Sequence, residues 1–349
     1  MAYKRVVLES LACVIPDSVL RTEDIEVALD ALYNQLSIPR GYIEQVTGIS
    51  ERRLWGTDST ASEIGIQCVN TCLQRSGVDR RQVGALINAS VWRDRLEPAT
   101  ACSIHQALGL SADCVAFDIS NACLGFMNGV LYVANMIEQG QIRAGIVVCT
   151  EGSRQVVETT LEMLAEFQNI TRDTFDQLAP ALTLGSGSGA ALLCDSSLAT
   201  QGFALLDFAW GCDSAGWRLC VSEPDIAGCG VQRVAIRTNA GSLLRHAVRL
   251  GADVFERQLQ KVGWKRSDIS KTVCHQVGRS QRDLMFSKFG LENTIDYTTF
   301  EFLGNTASAG IPITASLATD AGRLSGGDKL MMMGIASGLN CMLSAWECL

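Results

Sequence analysis

The chain repeats itself. Gly77-Val78-Asp79-Arg80 precedes the apolar run from Gly84 to Ser90, and Gly263-Trp264-Lys265-Arg266 precedes the run from Lys271 to Gln276, 186 positions later (77 to 263). The same shift carries Cys123 to Ala309, inside Gly304-Asn305-Thr306-Ala307-Ser308-Ala309-Gly310-Ile311. Both places are small-residue turns that open a helical pattern. It also carries Ile146-Val147-Val148 to Met332-Met333-Gly334, again an apolar strand pattern. Three places sharing one offset imply a duplicated strand–helix unit. Strands alternating with helices predict an α/β fold of parallel sheets covered by helices. Two such halves packed together make a five-layer α/β/α/β/α body with the repeat-related helices at its centre. We expect halves at 1–180, carrying a cysteine nucleophile, and 181–349, carrying a histidine and an asparagine.

Composition narrows the function. The chain has 349 residues, 47% of them hydrophobic and only 19% charged, which suits a compact enzyme with much buried surface and excludes disorder. No apolar run is long enough for a membrane span, and Met1 to Glu9 lacks a signal-peptide core, so a cytoplasmic enzyme is expected. The 14 cysteines form no CxxC pairs, which favours reduced thiols over a disulfide framework, and no metal site is expected. A net charge of −8 argues against nucleic acid as partner.

The stretch from Ala116 to Gly129 starts as a strand pattern, passes through Ser120-Asn121-Ala122-Cys123-Leu124-Gly125 and continues as a helix. A thiol there sits over the free N–H groups of a helix start, where a thiolate is stabilised, so its pKa is expected to fall. The bland reading is a small buried hydrophobe, as most of the 14 cysteines must be. Two distant residues favour Cys123. His275 ends the second-half strand, and Asn305 lies in the turn matching that of Cys123. In open α/β sheets functional groups gather at the carboxyl ends of strands. Cysteine, histidine and asparagine together suit thioester chemistry, with the thiolate taking an acyl group and the other two stabilising an enolate oxygen. His105 and His246, on helical patterns, are read as structural. Gly185-Ser186-Gly187-Ser188-Gly189 lacks dinucleotide or P-loop spacing, and Leu182 to Asp195 reads as strand, glycine turn, strand.

The Asn-Ala-Cys-Leu-Gly-Phe turn, the His-Gln-Val segment and Gly-Asn-Thr-Ala-Ser-Ala resemble the thiolase superfamily, in its β-ketoacyl-ACP synthase III group, over essentially the whole chain. The resemblance implies the thiolase fold, a homodimer, no cofactor, and a triad of Cys123, His275 and Asn305. Arg93 to Thr100 and Met333 to Asn340 are most similar to the OleA-type enzymes of long-chain olefin biosynthesis. That similarity implies that Glu97 reaches the partner subunit's site, and that the Ser337 and Cys123 N–H groups form an oxyanion hole. It also implies acyl-CoA or acyl-ACP substrates and, further on, other pathway enzymes as partners. A malonyl thioester forms its enolate by losing CO₂, whereas a plain acyl thioester must lose a Cα proton and needs a base. Glu97 therefore points to non-decarboxylative Claisen condensation of two fatty acyl-CoA molecules. The alternatives are a decarboxylative synthase, an ester- or amide-forming acyltransferase, and a silent subunit. For CoA, the candidates are Arg40, Arg245, Arg249 and Trp217. For acyl channels they are Ile87, Val91, Phe208 and Leu339.

Overall fold

The computed structural model describes residues 3–166, 170–225 and 233–349. The first half contributes strands β1 (Val6–Val14), β2 (Val83–Asn88), β3 (Val115–Asp118), β4 (Ala144–Glu151) and β5 (Gly187–Asp195). The second contributes β6 (Phe203–Cys212), β7 (Lys271–Cys274), β8 (Lys329–Ala336) and β9 (Asn340–Cys348). They run in the order β7-β8-β9-β6-β1-β5-β4-β2-β3. Two residue pairs, Val7–Ala204 and Leu8–Phe203, stitch the half sheets together between β1 and β6. The expected division at 180 precedes β5, yet β5 pairs with β1 and β4 of the first half.

The sheets are mixed rather than wholly parallel as expected. β2 runs parallel to β3 and β4, and β7 to β8, but β5, β1, β9 and β6 pair antiparallel. Ser337–Leu339 joins β8 to β9, and so short a link allows only an antiparallel pair.

Five layers follow from which faces are apolar. Helices α1 (Ala61–Ser76) and α2 (Thr100–Leu108) cover the outer face of the first half sheet through Cys68, Val69, Cys72 and Ile104. Helices α4 (Ala240–Val262) and α5 (Arg279–Phe289) cover the second through Val254, Phe255, Phe286 and Phe289. Between the half sheets lie α3 (Gly125–Glu138) and α6 (Gly310–Asp320), whose Met127, Val130 and Ile313 share one core with Ile87, Val147, Val273 and Met332. Helices sandwiched this way must be apolar nearly all round, and α6 is buried over most of its length. Helices Asp30–Leu36, Arg154–Glu166 and Arg172–Leu178 form a cap with its own core around Tyr33, Val157 and Phe175.

The duplication is real, but its offset drifts. Helices α1 and α4 end on left-handed glycines, Gly77 and Gly263, 186 apart. After the first strands of each repeat the offset is 185. Ala122 and Ala307 take φ of 44° and 45°, Gly125 and Gly310 start the central helices, and β4 and β8 correspond end to end. Ser308, not Ala309, therefore stands in the place of Cys123. The glycine run is also not a turn between strands. Leu182 lies in the 3-10 helix Ala179–Thr183, and Gly187 and Gly189 lie within β5. The reason is contact with α6. A Cβ on Gly187 would lie 2.6 Å from Ile313, and one on Gly189 2.8 Å from Pro312.

Candidate active site

A cavity of about 1880 Å³ opens among the two halves and the cap, and its wall includes Cys123, Glu151, His275, Asn305 and Ser337. Cys123, Glu151, His275 and Ser337 arrive from strand ends or the turns behind them, whereas Asn305, expected at a strand end, follows the short helix Phe300–Leu303 and meets Leu184 in an isolated bridge. Ala122 takes a left-handed φ and turns the chain into α3, so that Cys123 faces the cavity. The turn is pinned by Asn121, which donates to Asn128 Oδ1 (2.7 Å) and accepts from the Asn340 amide (3.1 Å). Gly125 allows close packing, since a Cβ there would lie 2.2 Å from the Ala89 carbonyl oxygen.

The Cys123 thiol is pushed up to about 12, first by burial and then by Cys220 and Glu151 nearby, although its own backbone N–H favours the thiolate. The expected fall does not occur. The first turn of a helix offers partial charge, and here that is outweighed by the loss of water. His275 continues β7, its N–H donating to the Met333 carbonyl (2.8 Å). Its Nδ1 is buried with no hydrogen-bond partner among the described residues, and burial pulls its pKa down to about 4. At neutral pH it is an uncharged imidazole. Asn305 is held by its N–H to the Thr183 carbonyl (2.9 Å) and by Gly185 N–H to its own carbonyl (2.9 Å). Its Oδ1 accepts from Ala307 N–H (2.9 Å), which leaves the Nδ2 donors for the cavity. A thiol, a neutral imidazole and an amide donor around one space can acylate the sulfur and stabilise a developing oxyanion.

Two family models match. "Thiolase, N-terminal domain" covers residues 46–180, and "3-Oxoacyl-[acyl-carrier-protein (ACP)] synthase III C terminal" covers 259–348. The acyl-CoA:acyl-CoA alkyltransferase of Shewanella oneidensis is 38% identical, over 98% of this chain and 99% of that one. The enzyme of the same name from Xanthomonas campestris is 32% identical, over 99% of each. Cerulenin-bound OleA of X. campestris superposes with a TM-score of 0.94 at 32% identity, covering 99% of this chain and 98% of that one. This chain belongs to the acyl-CoA:acyl-CoA alkyltransferase (OleA) family. It is a thiolase-fold acyltransferase.

The remaining residues singled out from the sequence fall in three places. Ser337, in the turn after β8, lines the cavity of this OleA-family chain, as do Val91 and Leu339. Ile87 and Phe208 lie instead in the central core. Glu97 is exposed and does not line the cavity of its own chain, although Arg93, Arg95 and Leu96 of the same arm do. None of the four CoA candidates lines it either. Arg40 pairs with Asp30 (2.7 Å), and Arg245 donates to Ser242 (2.8 Å). Arg249 and His246 share Asp213 (2.8 Å each), and Trp217 is covered by Arg218 at 4.6 Å. The arginines on the cavity wall are Arg93, Arg95, Arg154 and Arg282. His105 bonds the Ser111 carbonyl at 3.0 Å, on a helix away from the cavity. Glu151 was not legible. It ends the apolar run of β4, and the only signal was one acid closing that run. No cluster of His, Cys, Asp or Glu among the described residues could hold a metal, and none of their helices is long and apolar enough to cross a membrane.

Proposed function

We propose that this enzyme condenses two fatty acyl-CoA molecules without decarboxylation, with Cys123, His275, Asn305 and Glu97 as its catalytic residues. The observation that carries the reading is the meeting of Cys123, His275 and Asn305 on one cavity wall while Glu97 stands outside it, on an exposed arm. In the first step Cys123 sulfur attacks the thioester carbonyl. Neutral His275 takes the thiol proton as the bond forms, and CoA leaves as a thiol with that proton. In the second, Glu97 of a partner copy takes a Cα proton from the next acyl-CoA. The carbanion attacks acyl-Cys123, the thiolate leaves, and a β-ketoacyl-CoA results. His275 and Asn305 donate to the enolate oxygen, and the N–H groups of Cys123 and Ser337 to the tetrahedral oxyanion.

Several findings support the reading. The relatives are named for joining two acyl-CoA molecules. X. campestris OleA has been solved as a cysteine-to-serine variant with lauric acid and lauroyl-CoA bound. It has also been solved as variants at a cysteine, a glutamate and a histidine, and its glutamate and cysteine are 26 positions apart, as Glu97 and Cys123 are (97 to 123). A homodimer is supported by the edge strand β3, whose Val115 is 39% exposed and whose Phe117 packs on Tyr132, itself 38% exposed, and by the arm's Leu96 at 98%. Arg93 ties that arm to Asp118 of β3 (3.7 Å).

The test is incubation with myristoyl-CoA alone, with mass spectrometry of the products and of the Cys123 peptide. A β-keto acid, or the ketone it decays to, is expected from the native enzyme. Glu97→Gln should give acyl-Cys123 and no condensed product. Normal condensation by that variant would overturn the role of Glu97.

A further inference from the structure

Glu151 has no part in the reaction above, yet it is buried at the cavity wall. Its Oε1 accepts the Val91 N–H (2.8 Å) and the Ser308 hydroxyl, and its Oε2 accepts the Trp92 N–H (3.1 Å). Its carbonyl accepts the Trp55 indole N–H (2.8 Å). The next residue, Gly152, lets the Trp92 ring lie 2.6 Å from where a Cβ would stand. Three donors converge on two oxygens. A glutamine has only one acceptor oxygen and would set its NH₂ against an N–H. The site therefore demands a carboxyl, and burying one is costly unless it is used.

The donors come from two segments that the reaction uses at different centres, the arm at the partner's and the turn at its own. Val91 and Trp92 begin the arm that ends in Glu97. Ser308 lies three positions after Asn305, in the turn whose N–H groups hold the Asn305 amide. We propose that Glu151 is a positioning residue, which locks the arm carrying Glu97 to the turn carrying Asn305. The arm serves the partner's site and the turn serves its own, so one carboxyl couples the two centres of a dimer. The inference rests on the reading of Glu97 given above.

Acylation of Cys123 uses neither the arm nor its alignment, whereas condensation uses both. Glu151→Gln should therefore form acyl-Cys123 at least as fast as the native enzyme, since it also removes a charge that opposes the Cys123 thiolate. Condensation should fall on the order of 100-fold, as expected for misplacement of a reacting group by about 1 Å. KM for acyl-CoA should hardly move. Ser308→Ala breaks one of the three ties and should show the same split in weaker form. Equal loss of both half-reactions would mean a merely structural role and would overturn the proposal, as would normal condensation. If Glu151→Gln does not fold, an absent split in Ser308→Ala overturns it instead. Glu97→Gln, run alongside, separates the two ideas. If that variant condenses normally, the Glu97 reading fails and takes this one with it. If it is inactive while Glu151→Gln condenses normally, only the role of Glu151 fails.

Discussion

Ser308 stands in the second half where Cys123 stands in the first. Each follows an alanine with φ near 45°, each stands two positions before the glycine that opens a central helix, and the two turns pack against each other. The duplicated unit thus supplies two equivalent small-residue turns at the centre of the molecule. One carries the thiol. The other carries a hydroxyl that is committed to Glu151, and with it the asparagine that faces the same cavity. The chemistry sits where the halves meet because both turns must be close to be useful.

If Glu97 serves the partner's site, two inactive variants should rescue one another. A Cys123→Ala protomer lacks the sulfur but keeps the arm, and a Glu97→Gln protomer keeps the sulfur. After mixing and exchange, half the dimers are mixed and each has one complete site, so about a quarter of native activity should return. Activity that stays at zero in mixtures shown to contain mixed dimers would place Glu97 in its own subunit's chemistry.

The raised pKa of Cys123 predicts slow alkylation of the free enzyme. Only the thiolate reacts, and with the thiol near 12 its fraction rises about tenfold per pH unit with no plateau between pH 7 and 9. Iodoacetamide should label the exposed Cys102 and Cys212 well before Cys123. A plateau in Cys123 labelling below pH 8 would show a thiolate held by the helix start, and His275 would then have no proton to take.

The layers, the central helices, Cys123 and His275 were legible because duplication and strand-end placement are written in local patterns, and Asn305 was legible from the duplication alone, since a short helix and not a strand precedes it. What was not legible depends on distance in space. The loss of one residue between the repeat's first strand and its turn moved the match of Cys123 from Ala309 to Ser308. The pKa of Cys123 depends on burial, which a helix-start argument does not contain. Arg40, Arg245 and Arg249 look like free cations in sequence, but Asp30, Ser242 and Asp213 occupy them. Glu151 is one acid among many until its donors appear around it.

Gly185 should be intolerant of any side chain. A Cβ there would stand 1.8 Å from the Leu303 carbonyl oxygen, a backbone atom that cannot step aside without moving the Asn305 turn. Gly185→Ala should cost about 3 kcal/mol or more, or prevent folding. Gly56→Ala is the control. Its Cβ would meet only the Ser59 hydroxyl, at 3.7 Å, and it should change stability by less than about 0.5 kcal/mol. Urea titration of both variants decides the matter. Similar midpoints would mean that β5 and the turn are packed more loosely than described.

Stability should rise as the pH is lowered from 7.5 to 6, against the usual direction for carboxyls. Burial holds Glu151 at about 7 against an ordinary 4.5, and Asp296 at about 7 against 3.8. Between those values the folded chain keeps protons that the unfolded chain has released, so each group costs stability as pH rises through the window and the loss is complete above 7. His275 works the other way. Its folded pKa of about 4 lies below the ordinary 6.5, so below 6.5 the unfolded chain binds a proton that the folded chain refuses. From pH 7 to 6.5 the carboxyls act alone, and below that the histidine offsets one of the two. Each unmatched proton changes stability by about 1.4 kcal/mol per pH unit. For a chain of this size that is a Tm shift on the order of 2 °C per carboxyl between pH 7 and 6. Thermal unfolding of the native enzyme and of Glu151→Gln across this range makes the check. The native Tm should climb toward pH 6, and the variant should climb by less. Parallel curves for the two proteins would mean that Glu151 is already ionised at neutral pH.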